Sequence, residues 1–378
     1  MAADEQKQWR VQVPEDSRFE SDLEELDVEP PPALADDWVI DTPDPANLAD
    51  LARLTHLLRA HERHGRGWAG ANVDDVLVEV SAKGLLTREN VVVRDSTGEI
   101  KAWGSVHDRA GGRMLFVHIV ERDLPDGVAR VCSDVLIEWA VEQAKVLAAA
   151  RGLDVQQIDT GAFEGDERQA AWLSAGGFTQ VRTWWQMNRP VEEAEAELVP
   201  SPDEWEGRGV RFRKVRRAGT GLPDEDDLRD VHDILEEAFL DHFNSWEETF
   251  DEFVFRVRED PGHRWDHWWL AEIVDVPAGD KPVPAGALVG TVSEGGTGPD
   301  GSYISYIGVV KAARGRGVAK GLLRTIIADA ATRGRDRVGL EVDADSSTGA
   351  DNLYSSMGWR TKYVTQSWHL DVPASDKS

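Results

Sequence analysis

One order of segments occurs twice in this 378-residue chain, and the duplication limits the possible folds more than any other feature. In the first copy a strand-like run, FVHIV (116–120), leads to the helix-like SDVLIEWAVEQAKVLAAARG (133–152), then VQQID (155–159), RQAAWLSAGGF (168–178) and TQVRTWWQM (179–187). In the second, SYISYIGVV (302–310) leads to AKGLLRTIIADAATRG (319–334), VGLEV (338–342), ADNLYSSMGW (350–359) and TKYVTQSWHL (361–370). Gly177-Phe178 and Gly358-Trp359 hold the same place in the two series. Each copy opens with a helix-like run, ANLADLARLTHLLRAHERH (46–64) and DLRDVHDILEEAFLDHF (227–243). Val318, Leu322, Ile326 and Ala330 fall four apart, one apolar helix face, and Gly334 stands where such a helix would be capped. Strands alternating with helices predict an α/β protein (α+β in character, with mixed sheets) of two tandem domains.

Composition sets the expected boundaries. Residues 1–35 are acidic, end in Pro30, Pro31 and Pro32, and read as a disordered tail. The first domain is expected over 36–188. Residues 189–209, crowded with glutamate and with Pro190, Pro200 and Pro202, read as a solvated acidic linker. The second domain is expected over 210–372, and 373–378 form a short tail. A net charge of -28, from 70 acidic and 42 basic side chains, repels phosphates and argues against nucleic-acid binding. The start, MAADEQKQWR, lacks a secretory pattern. No apolar run approaches the roughly 18 residues of a membrane span. The lone Cys132 cannot make an internal disulfide and reads as core. These features lead to the expectation of a cytoplasmic protein, monomer or homodimer, without membrane or nucleic-acid partners.

Against that acidic background, KAARGRGVAKGLLR carries Lys311, Arg314, Arg316, Lys320 and Arg324 and no acid, which suggests an anionic ligand. It joins the strand ending at Val310 to a helix starting near Val318. Two glycines allow a sharp turn and close backbone approach. The first amides of a helix lack internal partners and carry partial positive charge, so such a loop offers donors to a phosphate. A Walker loop is excluded, because Lys320 follows Ala319 and precedes Gly321. A dinucleotide fingerprint is excluded because its third glycine would fall at Lys320.

Arg314, Gly317 and Ala319 satisfy a third pattern, Arg/Gln-x-x-Gly-x-Gly/Ala after a Val-rich strand. With VGLEV, Leu353-Tyr354 and Gly358-Trp359 in order behind it, residues 300–370 resemble the GNAT acyltransferase superfamily. The tandem arrangement is similar to mycothiol synthase and its actinobacterial relatives. The resemblance implies acetyl-coenzyme A as acyl donor, a small-molecule primary amine as acceptor, and no metal. It places the pyrophosphate on the amides of Arg314, Gly315, Arg316, Gly317, Val318 and Ala319, and the pantetheine arm along the backbone of Val309 and Val310. It makes Tyr354 the proton donor to the leaving thiolate and the Val309 N–H a donor to the reacting carbonyl.

The general base is not singled out. Glu341 and Asp343, or Asp241 and His242, stand where a base is needed; Glu341 and His242 are the preferred candidates. Trp246, Trp265, Trp268 and Trp269 are either cleft walls or core. Two departures from the resemblance are Ser347, where an asparagine is common, and Tyr303, where mycothiol synthase has glutamate. Ser347 weakens the carry-over of roles around the thiol end, and Tyr303 argues against a mycothiol precursor as acceptor; acetylation of a cysteinyl aminosugar and a non-catalytic acyl-coenzyme-A sensor are kept as alternatives. The first copy has VERDLPDGVARVCSD in place of the glycine loop, with Glu121, Asp123 and Asp126, and Leu173 in place of Tyr354. It is expected to be a degenerate scaffold.

Overall fold

The computed structural model describes residues 33–109, 112–197, 208–217, 219, 221–240, 248–295, 298–345 and 349–374. The acidic tail assigned to residues 1–35 lies almost wholly outside them. Among the described residues no helix is long and apolar enough to cross a membrane.

The first half contains β1 (Val39–Asp41), α1 (Leu48–Arg66), α2 (Val73–Val80), β2 (Arg88–Arg94), β3 (Ile100–Arg109), β4 (Arg113–Val120), α3 (Asp126–Arg151), β5 (Val155–Phe163), α4 (Glu167–Ala175) and β6 (Thr179–Pro190). The second repeats the series as β7 (Val210–Lys214), α5 (Glu225–Phe239), α6 (Phe250–Val257), β8 (His263–Ile273), β9 (Val283–Ser293), β10 (Gly301–Val309), α7 (Val318–Thr332), β11 (Arg337–Asp343), α8 (Ala350–Ser356) and β12 (Arg360–Pro373). The duplication read from the sequence is thus a duplication of secondary structure.

All twelve strands join one mixed sheet in the order β1-β2-β3-β4-β5-β12-β6-β11-β10-β9-β8-β7. The order is symmetric about the β12–β6 seam, and the last strands have changed places. β12 pairs with β5, from Thr365↔Phe163 to Pro373↔Val155. β6 pairs with β11, from Asp343↔Trp184 to Arg337↔Pro190. Each core accordingly borrows from the other half: Trp368 and Val372 pack in the cluster around α3, and Met187 packs in the cluster around α7.

Strand alternation puts successive side chains on opposite faces, and both faces are used. On β8, Trp269 and Ala271 face α7 while Trp268 and Leu270 face α5 and α6. On β2, Val91 and Val93 face α3 while Val92 faces α1 and α2. The segment expected as a linker begins inside β6. Glu193–Glu197 then form a 3-10 turn in which Glu195 pairs with Arg189; residues 198–207 lie outside the described residues.

Candidate active site between β10 and β11

β10 and β11 pair in parallel only over Ser302–Ile304 and Val338–Leu340. Beyond that they separate. Against β9 the register of β10 shifts between Ile304 and Tyr306, a bulge that inserts one residue. Past the bulge, the Val310 N–H donates to the Ala285 carbonyl at 3.0 Å. In an antiparallel ladder, alternate residues turn their N–H groups away from the partner strand. The amides of Val309 and Ile307 therefore point into the opening between β10 and β11. Val310 differs from the expectation: its N–H is engaged as described, and its carbonyl accepts from Ala313 N–H at 3.0 Å. Its backbone is closed to an incoming strand-like arm, and only its side chain faces the site.

At the mouth of the opening the chain makes a short 3-10 turn, Lys311–Ala313. Gly315 and Gly317 follow with φ of 82° and 80°, left-handed conformations that favour glycine. Gly317 caps α7 without a side-chain bond. Arg314 and Arg316 N–H groups make long bonds to Lys311 and Ala313 carbonyls (3.3 and 3.4 Å). The amides of the first turn of α7 have no acceptors within the helix. Lys311, Arg314, Arg316 and Lys320 are exposed, and none appears in an ion pair among the described residues. Free amides at a helix start and unpaired cations together fit a pyrophosphate.

Tyr354 projects from α8 into the apolar cluster that holds Ile307, Val309 and Val310. It is 7% exposed, and burial pushes its phenol up to about 12, so it keeps its proton at any working pH. Glu341 lies on the sheet face opposite α7. Its side chain reaches solvent yet is crowded by protein, as on the floor of a cleft. Desolvation raises its carboxyl above the usual range, and a hydrogen bond from Gln186 opposes the shift. Gln186 also donates to Thr365 at 3.3 Å and accepts from the Tyr303 hydroxyl at 3.4 Å.

The other sequence candidates separate. Asp343 is buried, near Arg182 at 3.7 Å, and accepts from the Asp345 N–H, a structural arrangement. Trp268 and Trp269 are core. Asp241, His242, Trp246 and Ser347 lie outside the described residues.

The equivalent opening in the first half is filled. β4 and β5 pair over Arg113–Phe116 and Gln157–Thr160 and then part. Gln169, 2% exposed, reaches across the gap from α4. It donates to the His118 carbonyl at 3.3 Å and the Gly161 carbonyl at 3.4 Å. Arg122 and Asp166 form an ion pair at the mouth. Helix α3 begins at Asp126 with no glycine turn before it. In the second half Ala350 holds the place of Gln169.

Residues 228–359 match the family model described as the acetyltransferase (GNAT) family. Over those residues the second half of this chain is similar to GNAT acetyltransferases. Over 219 residues the chain is 32% identical to a mycothiol acetyltransferase from Thermobispora bispora, covering 55% of this chain and 62% of that protein. It thus spans about three fifths of the length of the curated relative it matches. Two solved structures share the architecture. A GCN5-related N-acetyltransferase from Sphaerobacter thermophilus superposes with a TM-score of 0.66 at 23% identity, covering 91% of this chain and 99% of that one. A tandem GNAT protein from the clavulanic acid biosynthesis pathway gives 0.63 at 15% identity, covering 90% and 100%. The tandem GNAT-like architecture thus extends over most of the chain. Within it, sequence reasoning missed Gln186. This residue comes from the first half, and only the exchange of last strands carries it to Glu341.

Proposed function

We propose that this chain is an N-acetyltransferase that takes its acetyl group from acetyl-coenzyme A, passes it to a primary amine, and works in its second half. The observation that carries the reading is the contrast between an open β10–β11 gap, with free amides and unpaired cations at its mouth, and a β4–β5 gap plugged by Gln169. Charge complementarity at a helix start suits a pyrophosphate, and the N–H groups of Ile307 and Val309 suit an extended amide-bearing arm.

Transfer needs a neutral amine, a donor to the carbonyl oxygen and a proton for the leaving sulfur. Glu341, whose raised pKa brings it nearer neutrality, accepts the amine proton directly or through water. The amine nitrogen bonds to the acetyl carbon as the carbon–sulfur bond breaks. The Val309 N–H steadies the charge that develops on the carbonyl oxygen, and Tyr354 gives its proton to the sulfur. A thiol-release assay with acetyl-coenzyme A across an amine panel tests this. Turnover that falls in Tyr354→Phe supports it. Binding without transfer to any amine favours the sensor reading, and no binding overturns both.

The 32% identity to a mycothiol acetyltransferase favours a second reading of the acceptor, a cysteinyl aminosugar. That compound belongs in the panel.

A further inference from the structure

The acceptor side of the site holds a cavity of about 220 Å³ to which both halves contribute. This is below the roughly 300–1,000 Å³ of whole ligand pockets and suits one end group of an acceptor. The bulge in β10 makes it: Ser305 and Tyr306, consecutive in sequence, both line this wall. Helix α6 supplies Arg256, the turn after it Asp260, and β8 His263. Across from them stands Arg109, from the end of β3 in the first half. The two halves are held here by the Arg88–Glu259 ion pair at 3.1 Å.

Two opposite charges in this cavity, Arg109 and Asp260, have no ion-pair partner among the described residues. Arg256 is neutralised by Glu248 at 2.6 Å and donates to the Tyr306 hydroxyl. The Arg109 guanidinium is partly buried and has no hydrogen bond or ion pair among the described residues. Desolvation, and then repulsion from Arg256, act against its charge and outweigh the opposing pull of Tyr306, Glu248 and Glu259. Asp260 accepts from the Gly262 N–H at 2.7 Å and makes no ion pair among the described residues. Both ring nitrogens of His263 are buried without a partner. Ser305 lies two residues along β10 from Tyr303, whose hydroxyl donates to the Gln186 that bonds Glu341, so the cavity is lined by the strand that borders the proposed base. A buried guanidinium without an anion is costly, and its planar fork matches a carboxylate in two parallel hydrogen bonds.

We propose that Arg109 is an acceptor-binding residue supplied by the non-binding half, and that it receives a carboxylate on the amine substrate. His263, neutral with a pKa near 4, offers one donor and one acceptor to polar groups beside that carboxylate. The chain then acetylates amines that also carry an acid group. This rests on the acetyl-transfer reading for its kinetics, while the anion site itself can be tested without it.

The experiment uses the full chain and paired amines: glycine, β-alanine, 4-aminobutyrate and glutamate, each beside its carboxamide. The wild type should favour at least one acid over its amide. Arg109→Gln should raise KM for that acid by about 10–100-fold and leave kcat and the acetyl-coenzyme A KM within about twofold. That range corresponds to losing a charged hydrogen-bonded pair. Arg109→Lys should fall between. Equal use of acid and amide, or equal loss of both in Arg109→Gln, overturns the proposal. If no pair is acetylated, titration with glutarate decides. Binding weakened in Arg109→Gln keeps the anion site while the transfer reading fails, and no binding by the wild type overturns the site. Melting curves of each variant show that it is folded.

Discussion

The two gaps of this molecule, β4–β5 and β10–β11, have the same topology and opposite contents. Both arise where a parallel pair parts after a few residues. In one, a buried glutamine ties the strands together and an arginine–aspartate pair shuts the mouth. In the other, an alanine stands at the glutamine's place, and the mouth carries left-handed glycines and unpaired cations. The sheet geometry that creates a binding gap is therefore not sufficient to keep it open. The residues at its entrance and on the short helix after it decide whether the strands' free backbone groups meet a ligand or a side chain.

That contrast can be broken in stages. The largest effect is expected from Gly317→Glu, which puts a β-carbon at φ 80° and a carboxylate among the free amides. Affinity for acetyl-coenzyme A should fall more than about 100-fold by calorimetry, since strain of about 1–3 kcal/mol and charge repulsion act together. The matching change Gly127→Glu, on an exposed turn of α3, should leave that affinity unchanged. Tyr354→Phe should lower kcat by about 100-fold, the low end for a lost general acid, with little change in the acetyl-coenzyme A KM. The wild-type rate should show no loss from this group on raising pH through the neutral range, because the phenol keeps its proton up to about 12.

Ala350→Gln moves the plug to the second half and should weaken acetyl-coenzyme A binding about tenfold with the fold intact by circular dichroism. The reverse change, Gln169→Ala, leaves two strand carbonyls without their donor. It should cost about 1–3 kcal/mol in urea unfolding and create no binding, because Asp126 remains at the start of α3. A separate effect is one of pH. Burial holds His118, beside the plug, near a pKa of 3, well below its unfolded value. The stability this histidine contributes is complete above about pH 6.5. It is lost as pH falls from there towards 3, by at most about 1.4 kcal/mol per pH unit. His118→Gln should flatten that part of the acid melting profile.

Much of this was legible in the sequence because it is local. The glycine loop, the helix behind it and the Gly-Trp turn are runs of neighbouring residues whose spacing reports their conformation, and the degeneracy of the first loop shows in Glu121, Asp123 and Asp126. What escaped is non-local. No spacing within TQVRTWWQM announces that Gln186 lies beside Glu341, because that contact exists only when β6 pairs with the other half. Arg109 is not singled out by its sequence neighbours for the same reason. The Val310 backbone was assigned to a ligand because its strand ends there, and only the 3-10 turn after it shows that its carbonyl is already taken. The bulge at Ser305 leaves no mark in composition, yet it turns two successive side chains towards one cavity.

The exchange of last strands has a further consequence for the history of such a chain. A copy that stops binding ligand is ordinarily free to be lost. Here, excising residues 36–188 would strip β11 of most of β6 and leave β12 without β5 and most of β6, so selection on either half also preserves the other. Each half is thereby a structural dependant of the other, and the shared seam ties the fate of both to one sheet.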